Sequence, residues 1–237
     1  NVGHVAGRLQ RIVEPDHAEV WVKVEGMNPG GSIKDRPALA MVIDAEKKGL
    51  LKPGDTIVEP TSGNTGVGLA QVAAVRGYRL VLCMPSTMSL ERKKTLAAFG
   101  AEVVFTDPEM RMIAAIAEAE RIRDETGAFM PNQFDNPANP RAHYETTAPE
   151  IWEQTGGKVD AFVSAIGTGG TLSGTGIGLK EFDSNITVAL ADPHGAKMYA
   201  YFTRGELETD VEGGSITQGI GQGRVTGNVD GSLVDKA

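Results

Sequence analysis

Cysteine is almost absent from this chain of 237 residues, and the single Cys83 cannot form an internal disulfide. It lies in the apolar run Leu80-Val81-Leu82-Cys83-Met84, where a small hydrophobe fits a buried strand, and no histidine stands near it in sequence to make it a catalytic thiol. Long apolar runs are missing as well: nothing approaches the roughly 18 residues of a membrane-spanning helix. Positive charge is in deficit, with 23 Lys and Arg against 31 Asp and Glu and a net charge of −8. Such a surface, without a basic patch, repels a nucleic-acid backbone. The four histidines, His4, His17, His143 and His194, are dispersed without metal-ligand spacing and read as structural or surface residues. No export signal opens the chain, so a reducing, cytoplasmic setting is the default expectation. A start without Met and an end at Ala237 with no closing element read as part of a longer protein.

What is present is a globular composition, 41% hydrophobic and 23% charged, which excludes disorder and allows one large or two modest domains. The segment Glu19-Val20-Trp21-Val22-Lys23-Val24-Glu25 alternates apolar and charged residues as a strand with one buried face does. Spacing predicts helices over 37–49, 66–77, 90–99, 110–126 and 143–156. Strands are predicted over 56–59, 80–84, 101–105, 128–130, 161–166 and 187–191, with 161–166 a buried strand. This alternation implies parallel βαβ units of the α/β class. The Asn/Pro-rich stretch 132–140 reads as a crossing between two α/β domains. Glu118 to Glu125 form a charge-rich helix face, a solvated surface.

Glycine is in excess, 30 residues against a usual share of about 7%, clustered beside Ser, Thr and Asn. Three such loops each follow a predicted strand and precede a helix, where open parallel sheets collect ligands. In Asn28-Pro29-Gly30-Gly31-Ser32-Ile33-Lys34-Asp35-Arg36 a lysine opens a helix, a position that opposes the macrodipole and favours the uncharged amine. From spacing alone the plainer reading leads: an exposed lysine pairing with Asp35, or a phosphate-loop residue. It is no Walker loop, since Gly-Lys-Ser/Thr is missing. Thr61-Ser62-Gly63-Asn64-Thr65-Gly66 offers hydroxyls and helix N–H groups to an anion such as a substrate carboxylate, the alternative being an elaborate N-cap. Gly167-Thr168-Gly169-Gly170-Thr171 fails as a dinucleotide fingerprint because Leu172 stands where glycine is needed. It reads as a phosphate cup, with a plain tight turn as the alternative. A fourth cluster, Gln218-Gly219-Ile220-Gly221-Gln222-Gly223, shows no mechanism from spacing.

These three loops in this order, with Met84-Pro85, Ser89-Leu90-Glu91-Arg92, Gln133-Phe134-Asp135-Asn136-Pro137-Ala138-Asn139 and Gln218-Gly219-Ile220-Gly221, resemble the cysteine synthase (O-acetylserine sulfhydrylase) family over most of residues 20–223. The resemblance implies a fold type II pyridoxal-phosphate enzyme: α/β, two open parallel-sheet three-layer domains with the cofactor in the cleft between them. It implies a small domain over 26–135 that closes on substrate, and a larger one of 1–25 with 136–237. By the resemblance Lys34 would hold pyridoxal 5'-phosphate covalently and act as the catalytic base, and Asn64 would bond the pyridine 3-hydroxyl. Gly167, Thr168, Gly169, Gly170 and Thr171 would bind the phosphate, and Thr61, Ser62, Asn64, Thr65, Gln133 and Gly219 the substrate. The implied reaction is β-replacement of O-acetylserine with sulfide, by a homodimer that can dock serine acetyltransferase. The family's opening Ile-Gly-Asn-Thr-Pro-Leu stretch is replaced here by Asn-Val-Gly-His-Val-Ala-Gly-Arg-Leu, and the serine facing the pyridine nitrogen would lie beyond Ala237. Rival readings are another β-replacement or elimination (a phosphoserine, cystathionine or diaminopropionate-type synthase, or a dehydratase) and a catalytically silent homologue that binds a partner's peptide.

Overall fold

The computed structural model describes residues 6–14, 16–61, 63–207, 217 and 219–237. The chain forms two compact units, one from Lys34 to Ala138 and one from the residues before and after it. Strand β1 (Ala6–Arg8) pairs antiparallel with β2 (Trp21–Lys23), Gly7 opposite Val22. The expectation of a buried apolar face on this strand is corrected: Trp21 and Val22 are exposed, and the residue turned inward is Lys23. Its ammonium reaches Glu150 Oε2 at 2.7 Å and Gln154 Oε1 at 2.9 Å. A charged stem held by a carboxylate takes the place that alternation assigns to an apolar one.

The unit that starts at Lys34 comprises α1 (Asp35–Lys47), β3 (Thr56–Pro60), α2 (Asn64–Arg76), β4 (Arg79–Pro85), α3 (Leu90–Ala98), β5 (Glu102–Thr106) and α4 (Arg111–Thr126). The strands are parallel in the order β3-β4-β5, with Ile57 opposite Leu80 and Cys83 opposite Val104. Side chains alternate across a strand, and here both faces are apolar. Ile57, Leu80, Leu82 and Met84 pack on Ala38, Val42, Leu69 and Leu96, while Val58, Val81 and Cys83 pack on Ala115 and Ala119. Helices thus cover both faces, giving three layers. Each of the fully buried Leu, Ile and Met side chains contributes about 1.5–3 kcal/mol. The strand expected over 128–130 shrinks to a single parallel bridge between Phe129 and Ile57. Phe129 N–H donates to Thr56 and Val58 N–H to Phe129, both at 2.9 Å. Pro131 follows, and without an N–H it cannot prolong the ladder.

The remaining chain runs through α5 (Ala138–Ala142), a π-helical turn His143–Thr147, α6 (Ala148–Gln154), β6 (Ala161–Ser164), α7 (Gly170–Phe182), β7 (Thr187–Leu190) and α8 (Met198–Arg204). Helix begins at Ala138, earlier than the spacing predicts, because Pro140 falls in a first turn where no N–H is required. Strands β6 and β7 are parallel with Phe162 opposite Val188. The expected buried strand over 161–166 is also corrected. Val163 is 61% exposed and only Ile166 is fully buried, since β6 is an edge strand with one face open among the described residues. Helix α7 instead carries the close packing. A Cβ at Gly170 would overlap Asn139 Oδ1, one at Gly174 would overlap the Pro140 carbonyl, and one at Gly178 would lie 2.6 Å from Ala148 Cβ. These glycines are one helical turn apart and face the 139–148 helices along one line. No helix among the described residues is long and apolar enough to cross a membrane.

Candidate functional site

Lys34 immediately precedes α1 with helical backbone, φ −71° and ψ −13°, and its carbonyl accepts the Ala38 N–H at 3.0 Å. Its close neighbour is Gly68 of α2, where a Cβ would come within 2.9 Å of Ala38 Cβ and 3.1 Å of the Lys34 carbonyl. Glycine there lets the heads of α1 and α2 touch. The Lys34 side chain is half-buried, and burial lowers its pKa, which favours the uncharged amine. This disfavours the plainer reading of an exposed lysine.

Thr61 is buried, and its Oγ1 accepts the Gly63 N–H at 3.2 Å. Asn64 is exposed as the first residue of α2, and Thr65 is buried behind it. Thr65 Oγ1 donates to Gln133 Oε1 at 2.5 Å, so these two candidates, far apart in sequence, meet at the head of one helix. Ser62 lies outside the described residues. The cap position of α2 is taken by Gly63, which has no side chain to cap the helix, and no cap bond is made there among the described residues. Leading N–H groups of a helix without a side-chain cap, with its dipole, suit an anion.

In the other unit, Gly167, Thr168, Gly169, Gly170 and Thr171 lead into α7. Gly169 is the cap residue with φ +88°, a conformation that L side chains rarely adopt, and again no side chain caps the helix. The loop is braced from three sides. Asn139 Nδ2 donates to Thr168 Oγ1 at 3.0 Å, Thr226 Oγ1 to the Thr168 carbonyl at 2.8 Å, and Gln222 Nε2 to the Gly167 carbonyl at 3.1 Å. A Cβ at Gly167 would overlap the Gly219 carbonyl. The glycine cluster that spacing left without a mechanism therefore supports this loop, and Gly219 has φ +85° to do so. Buried His143 has Nδ1 3.0 Å from Thr147 Oγ1 and Nε2 3.4 Å from Thr171 Oγ1. His17 stands with Glu14 and Asp16 in an exposed cluster away from these loops in sequence, an ordinary surface arrangement.

Sequence reasoning missed Glu59, which is 1% exposed on β3. Its Oε2 accepts the Asn132 N–H at 2.9 Å and its Oε1 the Gln133 N–H at 3.0 Å. Burial pushes the carboxyl up to about 7, with the two N–H bonds acting against it. The one available signal was an acid on the strand face that Ile57 shares, where packing asks for an apolar residue.

A half-buried lysine of lowered proton affinity is suited to an aldehyde, and, in the other unit, a braced, glycine-opened helix N-terminus is suited to a phosphate. The chain belongs to the pyridoxal-phosphate dependent enzyme family, which matches residues 7–237. It is 51% identical to cysteine synthase 1 of Neurospora crassa over 96% of its own length and 62% of that protein's. With a cysteine synthase of Staphylococcus aureus it shares 47% identity over 96% of this chain and 71% of the other. Among solved structures, O-ureido-L-serine synthase superposes with a TM-score of 0.88 at 45% identity, covering 99% of this chain and 72% of that one. A cysteine synthase from Entamoeba histolytica does so with a TM-score of 0.89 at 40% identity, covering 99% and 68%.

Proposed function

We propose that the protein is a cysteine synthase, converting O-acetyl-L-serine and sulfide to L-cysteine and acetate with pyridoxal phosphate. The observation that carries this reading is Lys34, whose proton affinity burial lowers and whose carbonyl packs against Gly68 of the helix that the 61–66 loop opens, in a chain 51% identical to cysteine synthase 1. In this reading Lys34 Nζ holds the cofactor through its aldehyde carbon. N–H groups of the 167–171 loop, with Thr168 and Thr171, bind the phosphate, and Asn64 meets the pyridine hydroxyl. The bound cofactor supplies an electron sink for the substrate's α-carbon. Thr61, Ser62, Asn64, Thr65, Gln133 and Gly219 bind and orient the amino acid, its carboxylate on the open N–H groups of α2. Lys34 Nζ would accept the Cα proton of the bound amino acid, acetate would leave Cβ with the C–O bonding pair, hydrosulfide would add at Cβ, and Lys34 would return the proton to Cα. A small mobile domain over 26–135, a cytoplasmic homodimer and docking of serine acetyltransferase belong to the same reading. The likeness to O-ureido-L-serine synthase favours, as a second reading, a β-replacement that forms O-ureido-L-serine.

The test is the visible absorption of the protein saturated with pyridoxal phosphate, before and after O-acetylserine and then sulfide. The band should shift with O-acetylserine, return with sulfide as cysteine appears, and be missing in Lys34→Ala. A band that ignores O-acetylserine would overturn the proposed substrate, and a band retained by Lys34→Ala would overturn the role of Lys34.

A further inference from the structure

Glu59 lies at the end of β3, on the face shared with Ile57, buried to 1% exposure. The neighbouring chain, after the Phe129 bridge, runs parallel to β3 and leaves the sheet at the same end. There Asn132 takes φ +52°, one of two non-glycine residues among those described with a positive φ. A left-handed residue turns successive N–H groups toward one point and forms a small anion-binding concavity. The Glu59 carboxylate occupies it, one oxygen on each N–H. The strained turn and the buried acid thus explain one another: neither is favourable alone.

The second N–H in this concavity belongs to Gln133, whose side chain is the one that meets Thr65. With Oε1 occupied by the Thr65 hydroxyl, Nε2 is the end of the amide that offers donors. Recognition of a substrate carboxylate calls for a hydrogen-bond donor of this kind. Attachment of the segment to β3 does not need the acid, since the Phe129 hydrogen bonds supply it.

We propose that Glu59 is a positioning residue for substrate recognition: by clamping the Asn132 and Gln133 N–H groups it fixes the Gln133 amide against Thr65, and so sets affinity for the amino-acid substrate and not for the cofactor. This rests on the reading of Thr65 and Gln133 as substrate-binding residues. Glu59→Gln keeps the shape, but its amide can accept at one end only and sets a donor against a donor at the other.

The experiment compares wild type, Glu59→Gln, Gln133→Ala and the double variant in the cofactor-saturated protein. Spectral titration should show O-acetylserine affinity weakened roughly tenfold in Glu59→Gln, the scale of one hydrogen bond to a charged group. Pyridoxal-phosphate affinity should stay within about twofold. The double variant should be no worse than Gln133→Ala, because both changes act on one group. Separately, the Gln133 side-chain amide resonances, identified by their loss in Gln133→Ala, should move toward those of a free amide in Glu59→Gln. Parallel loss of cofactor and substrate affinity, additive effects, or unmoved Gln133 resonances would overturn the proposal. The resonance measurement needs no substrate, so a wild-type protein that ignores O-acetylserine refutes the sulfhydrylase reading while the Glu59 clamp is judged on the amide alone.

Discussion

Titrating the protein from about pH 8 to about pH 5 protonates a buried carboxylate, Glu59, while most exposed acids stay charged. Burial moves this group from 4.5 to about 7. At roughly 1.4 kcal/mol per pH unit of separation between the folded and unfolded chain, the full linkage is about 3 kcal/mol. Its sign is opposite to that of a salt-bridged acid. The folded chain holds the proton more tightly, so the contribution is complete below 4.5 and disappears as the pH rises through 7. Between pH 8 and 5 the Lys34 to Ala138 unit should gain about 2–3 kcal/mol from this group. Glu46, Glu118 and Asp235, whose carboxyls are held low chiefly by bonds to Arg76, Arg121 and Lys180, act the other way as pH falls. Comparison with Glu59→Gln removes their effect, because the variant lacks only the Glu59 titration. Both tryptophans lie outside this unit, so the readout is native-state hydrogen exchange of β3 and β4 peptides at each pH. The stability difference, wild type less variant, should rise toward acid by that amount. An identical pH slope in the two proteins would refute the reasoning, as would a Glu59 carboxyl resonance that titrates near 4.5.

Two other outcomes follow from the same packing. Gly170→Ala drives a Cβ into Asn139 Oδ1 and forces the amide off Thr168; leaving such a buried group unpaired costs about 1–3 kcal/mol, seen as a lower melting temperature and weaker retention of pyridoxal phosphate on dialysis, and a variant normal in both would refute the packing argument. Cys83, fully buried with its thiol pushed up to about 12 by burial and then by Glu118, should resist aromatic disulfide reagents at neutral pH until urea unfolds the chain, and fast labelling of the native protein would contradict that environment.

The three-layer sheet was legible because Leu80 to Met84 is apolar on both faces and both faces are covered. The strand over 161–166 has the same apolar signature and one open face among the described residues, so a run of hydrophobic residues does not by itself report two covering layers. The pattern at Glu19 to Glu25 failed for a different reason: Lys23 finds Glu150 and Gln154 far away in sequence, and periodicity carries no information about a distant partner. Lys34 and the 61–66 and 167–171 loops were visible as local glycine and hydroxyl clusters. Glu59, Asn139 and the support given by Gly219 were not, since each acts through a contact made by the fold.

The loops also change meaning once the contacts are seen. Sequence suggests that their hydroxyls grip ligands, yet Thr61 Oγ1 accepts the Gly63 N–H, the Thr65 hydrogen goes to Gln133, and Thr168 Oγ1 accepts from Asn139. Each hydroxyl is already engaged in holding main chain or a neighbouring side chain in place. What both loops share is a glycine at the cap position of the helix that follows, where there is no side chain to cap it. If the proposed sites bind anions, backbone N–H groups are the donors these contacts leave best placed, and the Thr side chains of the loops hold those groups in position. Glycine identity follows the same logic: Gly167, Gly170 and Gly68 are set by the atoms packed against them, so that the positions a ligand would seem to require are fixed by the fold before any ligand arrives.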